Sequence, residues 1–164
     1  MWRWLRPSAQ VATVYDIDLN ALRARGIRGV ILDLDNTIVP WGAREISPRL
    51  PVWIAAAQDA DFRLCIVSNN MGSRVVSIAK RLGLPIVVGA LKPRRRALRR
   101  ALIVMGTTAE ATALVGDQLL TDILGGNRLG LHTILVRPQS RTEFMLTRLV
   151  RRFERFLLRR SGHR

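Results

Sequence analysis

Residues 29–37 read GVILDLDNT. Val30, Ile31 and Leu32 run on without a polar break, and Asp33 and Asp35 stand at the carboxyl end. A strand that is apolar on both sides is buried on both faces, as happens in parallel sheets covered by helices. Two carboxylates closing such a strand do not belong in a core. They belong in a crevice.

Outward from this strand, apolar runs of strand length alternate with stretches of helical period. Upstream, 18–25 (DLNALRAR) predicts a short helix with Asp18 as N-cap and Gly26 just past its end. Downstream, a helix is expected from Ser47 and Pro48 to about Ala60, with the proline at its first position. Strands are expected at 63–68, 85–88, 113–115 and 132–136. Helices are expected between them at 73–82, 93–105 and 121–129, and a last one at about 141–160. Five strands joined by right-handed helical crossovers make an α/β fold with a doubly wound, mostly parallel sheet. One domain over 1–164 is expected, its core at about 18–137. Ligands bind such sheets beyond the carboxyl ends of the strands, where strand order reverses.

Composition narrows the setting. At 164 residues and 48% hydrophobic, the chain suffices for one core and is not a disordered tail. The single cysteine, Cys65, excludes an intrachain disulfide. No uncharged apolar run of about 18 residues is present to span a membrane. The first 18 residues lack a continuous apolar segment and already include Asp16 and Asp18, so a cytoplasmic, reducing setting is expected. Lys and Arg number 27 against 12 acids, a formal charge of +15, and 25 of the 27 are arginines. Such a surface suits a polyanion, either nucleic acid or an anionic leaflet. A compositional bias of the genome is a second source of the same excess.

Acids are scarce but not scattered. Asp33 and Asp35 end the first strong strand, and Asp117 and Asp122 follow a later one in LVGDQLLTD. The fold would bring these strand ends together. Like charges about 4 Å apart cost on the order of 4 kcal/mol at an effective dielectric near 20, so protonation, a cationic partner or a divalent metal must relieve them. Oxygen-only ligands at a phosphate-handling site favour Mg²⁺. Asp117 and Asp122 also fit a turn and a helix start, and that reading stays open for both.

DLDNT, with Asp33, Asp35 and Thr37, resembles the DxDxT signature of the haloacid dehalogenase (HAD) superfamily phosphatases. Three further motifs follow in the family's order. Ser68 lies in IVSNN, Lys92 in GALKP, and GDQLLTD matches the acidic GDxxxxD element. More narrowly, DLDNTIVPW and GDQLLTDILGGNRLG are similar to the YqeG-type branch, itself similar to the mitochondrial phosphatidylglycerophosphate phosphatases. The resemblance covers about 28–137. It implies Asp33 as nucleophile through an aspartyl-phosphate and Asp35 as general acid and base. It implies that Ser68 and the Asn69 backbone N–H bind phosphoryl oxygens, and that Lys92 holds the transferring phosphate. It also implies Mg²⁺ on Asp33, the Asp35 main-chain carbonyl, Asp117 and Asp122, the last directly or through water. Lys92 has a plainer reading as one more cation of KPRRRALRR.

Thirty residues separate Thr37 from Ser68, and 23 separate Ser68 from Lys92. Neither gap holds an independently folded cap, since units below about 40 residues rarely stand alone. A capless site admits a phosphate presented on something large. Two basic amphipathic helices are candidates for docking on anionic surfaces, and the apolar stripe of the last one equally fits packing on its own domain with the arginines as a solvated face. In 93–105, Arg95, Arg96, Arg99 and Arg100 lie opposite Leu98, Ala101, Leu102 and Met105; in 141–160, arginines flank Leu146, Leu149, Val150, Phe153 and Leu157. The expected activity is a Mg²⁺-dependent phosphomonoesterase converting phosphatidylglycerophosphate to phosphatidylglycerol, peripheral on the inner face of the membrane. The rivals are a phosphatase of nucleic-acid ends and a non-enzymatic RNA- or membrane-binding module.

Overall fold

In the computed structural model, which describes residues 2–140, β2 (Gly29–Leu32) lies near the middle of a parallel sheet. All four of its residues are buried. The chain leaves through α2 (Arg49–Asp59) to β3 (Arg63–Val67), then through α3 (Ser73–Arg81) to β4 (Ile86–Val87). It returns to the other side of β2 through α4 (Arg95–Met105) and β5 (Thr112–Gly116). A π-turn at Leu119–Ile123 runs into α5 (Leu124–Leu129) and on to β6 (His132–Val136). Near the amino end, β1 (Ala9–Val11) and α1 (Leu19–Ala24) precede β2, and Asp18 caps α1 through the Ala21 N–H at 2.9 Å.

The sheet order is β1-β6-β5-β2-β3-β4, with every pairing parallel. Strand order therefore reverses between β2 and β5, where Leu32 pairs with Val115 and the Asp33 N–H continues the ladder to Val115 O at 2.9 Å. Side-chain alternation divides the core. Val30 and Leu32 face a layer built from α1, α2 and α3, with Leu22, Leu50, Trp53, Ile54, Val75 and Ile78 buried there. Ile31, Cys65 and Val67 face α4, against Ala97, Leu98, Ala101 and Met105. Burial pushes the Cys65 thiol up to about 11, which leaves it a packing residue.

Three expectations need correction. The sheet has six strands, not five: β1 spans three residues on an edge, pairs with β6 alone and is half-buried, so it carries no apolar run to read. Pro48 caps α2 rather than opening it. The helix expected from Thr121 begins instead as the π-turn at Leu119, because Asp122 folds back onto its own turn. The helix expected over 141–160 lies outside the described residues. Among the described residues no second folded unit is inserted between the strands, and no helix is long and apolar enough to cross a membrane.

Gly126 seats α5 on the sheet: a Cβ there would lie 2.6 Å from Thr133 Cγ2 and 2.9 Å from Leu114 Cδ2. Gly126→Val is expected to cost about 1–3 kcal/mol through overpacking, read as a lower urea midpoint. An unchanged midpoint would show that the helix can move away freely.

Candidate active site

The loop after β2 is tied down on both sides. Asn36 adopts a left-handed backbone, φ 64°, which asparagine tolerates better than most residues. Its Oδ1 accepts the Trp41 N–H at 3.1 Å, the Ser140 N–H at 3.2 Å and the Ser140 hydroxyl at 2.6 Å. Gln139 Nε2 donates to Thr37 O at 2.7 Å. The segment after β6 thereby braces the loop that presents Asp33 and Asp35.

Thr37 Oγ1 donates to Asp33 Oδ2 at 3.0 Å and lies 3.4 Å from Asp117 Oδ1, linking the loops after β2 and β5. Lys92 reaches in from the loop before α4. Its ammonium donates to Asp33 Oδ1 and to Val67 O at 3.3 Å, and it pairs with Asp122 Oδ1 at 2.6 Å. Asp33, Lys92, Asp117 and Asp122 are all buried. Gly116 is required beside them, because a Cβ at that position would run into the Asp122 carboxylate.

Charged groups are crowded at this point. Asp33, Asp117 and Asp122 each offer one oxygen, all within 4.8 Å of one another. Among the described residues, the Lys92 ammonium pairs with Asp33 and Asp122, and Asp117 lies beside them, linked to the β2 loop through Thr37. Burial pushes the Asp33 carboxyl up to about 6, against the pull of Lys92 and with the push of Asp122. Burial alone would lower Lys92, but the charges of Asp122 and Asp33 outweigh it and hold the ammonium above the ordinary lysine range. Asp122 Oδ2 accepts the Gln118 N–H at 3.2 Å, and its buried Oδ1 takes the Lys92 ammonium at 2.6 Å. Three hard oxygen donors, each within 4.8 Å of the others, fit a small divalent cation.

Asp35 stands apart from that trio: its Oδ1 pairs with Arg74, and both side chains are nearly buried. Arg74 also donates to Ala43 O at 2.8 Å. Ser68 is buried after β3, its Oγ accepting the Asn70 N–H at 3.1 Å. Asn69 is exposed, and its Oδ1 accepts the Lys92 N–H at 2.9 Å, tying the β3 loop to the Lys92 loop. Sequence reading missed Arg74. It sits in the first turn of α3, and nothing in the local sequence marked it out.

Lys92→Met removes the ammonium that pairs with the buried Asp33 and Asp122 carboxylates. A loss of about 3–5 kcal/mol is expected at pH 8, the usual cost of breaking a buried pair. It should shrink as pH falls towards 5, because Asp33 can then take a proton and shed its charge in the folded state. Chemical denaturation of the metal-free protein at both pH values measures this; a loss that grows towards pH 5 would contradict it.

Comparison with known proteins agrees with this geometry. The mitochondrial PGP phosphatase family model matches residues 2–82, and the HAD-hydrolase-like model matches residues 90–152. The chain is 39% identical to "Probable phosphatase YqeG" of Bacillus subtilis, over 98% of this chain and 95% of that one. It is 30% identical to the chloroplastic phosphatidylglycerophosphate phosphatase 1 of Chlamydomonas reinhardtii, covering 94% of this chain and 61% of the longer relative. In fold it resembles the cobalt-bound deoxy-D-mannose-octulosonate 8-phosphate phosphatase of Haemophilus influenzae, with TM-score 0.56 and 21% identity over 68% of this chain and 69% of that one. Near-complete mutual coverage at 39% identity, on a sheet whose reversal point gathers the acidic cluster, leads to one assignment: the chain belongs to the YqeG-type family of HAD-like phosphatases.

Proposed function

We propose that the chain is a Mg²⁺-dependent phosphomonoesterase that works through an aspartyl-phosphate, with phosphatidylglycerophosphate as its substrate and phosphatidylglycerol as its product. The observation that carries the chemistry is the convergence of Asp33, Lys92, Asp117 and Asp122 at the reversal point of the sheet. Asp33 Oδ attacks phosphorus as the bond to the leaving oxygen breaks, and the alkoxide takes its proton from Asp35. Asp35 then accepts a proton from the water that attacks phosphorus, releasing inorganic phosphate and restoring Asp33. Lys92 and Thr37 hold the Asp33 carboxylate in place, one on each oxygen. Ser68 and the Asn69 N–H are assigned to the phosphoryl oxygens, beside Lys92. Asp33, Asp117, Asp122 and the Asp35 main-chain carbonyl are assigned to Mg²⁺, which offsets the repulsion between an anionic phosphate and an anionic nucleophile.

The lipid assignment is supported by the similarity to phosphatidylglycerophosphate phosphatases, by the capless site and by the surface beside it. On α4, Arg95, Arg96, Arg99 and Arg100 are exposed, and Ile103 and Val104 stand 79% and 54% exposed one turn further on. Cations with apolar side chains among them suit the headgroup layer of an anionic leaflet, at about 1 kcal/mol per basic residue. This face begins next to Lys92, so docking there would bring the site to the lipid. On this reading the chain works peripherally, on the inner face of the membrane.

Phosphate release from vesicles carrying phosphatidylglycerophosphate tests the substrate: release that needs Mg²⁺ is expected, and turnover of soluble monoesters alone would reject the lipid. Asp33→Asn is expected to lower aryl phosphate turnover by about 10³-fold or more, and full activity would end the nucleophile assignment. Arg96→Glu with Arg100→Glu is expected to weaken sedimentation with phosphatidylglycerol vesicles by about tenfold or more, with neutral vesicles unaffected. Equal sedimentation of wild type and variant would remove α4 from the membrane contact.

A further inference from the structure

A second basic cleft adjoins the site on the side away from α4. It encloses about 210 Å³ and is lined by Arg44, Arg74, Ser77, Ile78 and Arg81. Arg74, Ser77, Ile78 and Arg81 form one stripe of α3 at helical spacing, and Arg44 faces them from the loop before α2. No carboxylate lines it; the acid that reaches it is Asp35, through its pair with Arg74. Two of the guanidinium groups also strap the facing loop, Arg74 on Ala43 O at 2.8 Å and Arg81 on Arg44 O at 2.7 Å. Each guanidinium has five N–H donors, so these straps leave most of them for another acceptor. Asp35 offsets Arg74, which leaves Arg44 and Arg81 repelling one another across a small cleft unless an anion sits between them. Planar forks of this kind favour phosphate oxygens in two-point contact.

Position supplies the chemistry of that anion. In the reaction proposed above, Asp35 protonates the leaving oxygen, so whatever touches Asp35 flanks the leaving group rather than the transferred phosphoryl group. Arg74 touches Asp35 directly. We infer that the Arg44–Arg74–Arg81 cleft is a second anion subsite, binding a phosphodiester carried by the departing alcohol. A glycerol bridge between monoester and diester has the short reach this contact allows. The subsite rests on the proposed role of Asp35, and it selects substrates bearing two phosphates over those with one.

The test separates the cleft from the chemistry. sn-Glycero-3-phosphoglycerol carries the diester and no monoester, so its binding by calorimetry reads the cleft without turnover. Saturable binding to the wild-type chain is expected. It should weaken by about tenfold or more, equivalent to about 1.4 kcal/mol, in Arg44→Glu and in Arg81→Gln. Arg44 is exposed and its side chain is not one of the two straps, so Arg44→Glu leaves the loop anchored if Arg81→Gln loosens it. Absence of saturable binding, or equal binding by both variants, would overturn the subsite. In a second arm, the ratio of kcat/KM for glycerophosphoglycerol phosphate to that for 4-nitrophenyl phosphate should fall about tenfold in Arg44→Glu; a constant ratio also overturns it. Loss of the phosphatase reading would show differently, as no hydrolysis of either monoester. A 5′-phosphorylated dinucleotide preferred over the glycerol substrate, and more sensitive to Arg44→Glu, would overturn the glycerol assignment in favour of a nucleic-acid backbone.

Discussion

Lys92 brings its ammonium to two buried carboxylates, Asp33 and Asp122, with Asp117 beside them, and the arrangement of the whole site follows from that crowding. Buried charge is tolerated only when it is paired or bound to a metal. Asp33 shows the strain in its raised carboxyl, and Lys92 in an ammonium held charged against its own desolvation. Three carboxylates crowded at the ends of two strands have stability set against them and function in their favour. Such crowding is the condition a divalent cation and a phosphoryl group are suited to meet.

The sheet creates this condition by its winding. Strands β2 and β5 are neighbours, but the chain travels from one to the other through both outer strands on one side. Their carboxyl ends open in the gap where the crossovers diverge, so the residues after them are free of helix cover. Asp33 and Asp117 come from these two ends, and Thr37 spans them. Lys92 comes from beyond β4 and is anchored on Val67 O at the end of β3. Four loops thus meet at one point, and each is fixed by bonds to its neighbour rather than by the substrate.

Much of this was legible in the chain itself. GVILDLDNT carries its own evidence, since an apolar strand ending in two acids has few physical outcomes, and the acidic pair of GDQLLTD has the same logic. The motif residues Asp33, Lys92, Asp117 and Asp122 converge as their strand-end positions imply. What escaped reading lacked a pattern. β1 is an edge strand too short and too wet to show periodicity. Arg74 is one arginine among 25, and nothing local distinguishes it from its neighbours until α3 turns it onto Asp35. The π-turn at Leu119–Ile123 depends on Asp122 bonding back to Gln118, a contact set by the tertiary fold rather than by propensity.

Direct titration with Mg²⁺ puts the carboxylate cluster itself to the question. Calorimetry on the wild-type chain should show one Mg²⁺ bound per chain, and Asp117→Asn, which removes one charge while leaving the Lys92 contacts with Asp33 and Asp122 intact, should weaken that binding by about tenfold or more. Equal Mg²⁺ affinity in both proteins, or none in the wild type, would contradict the account of this cluster as a cation site.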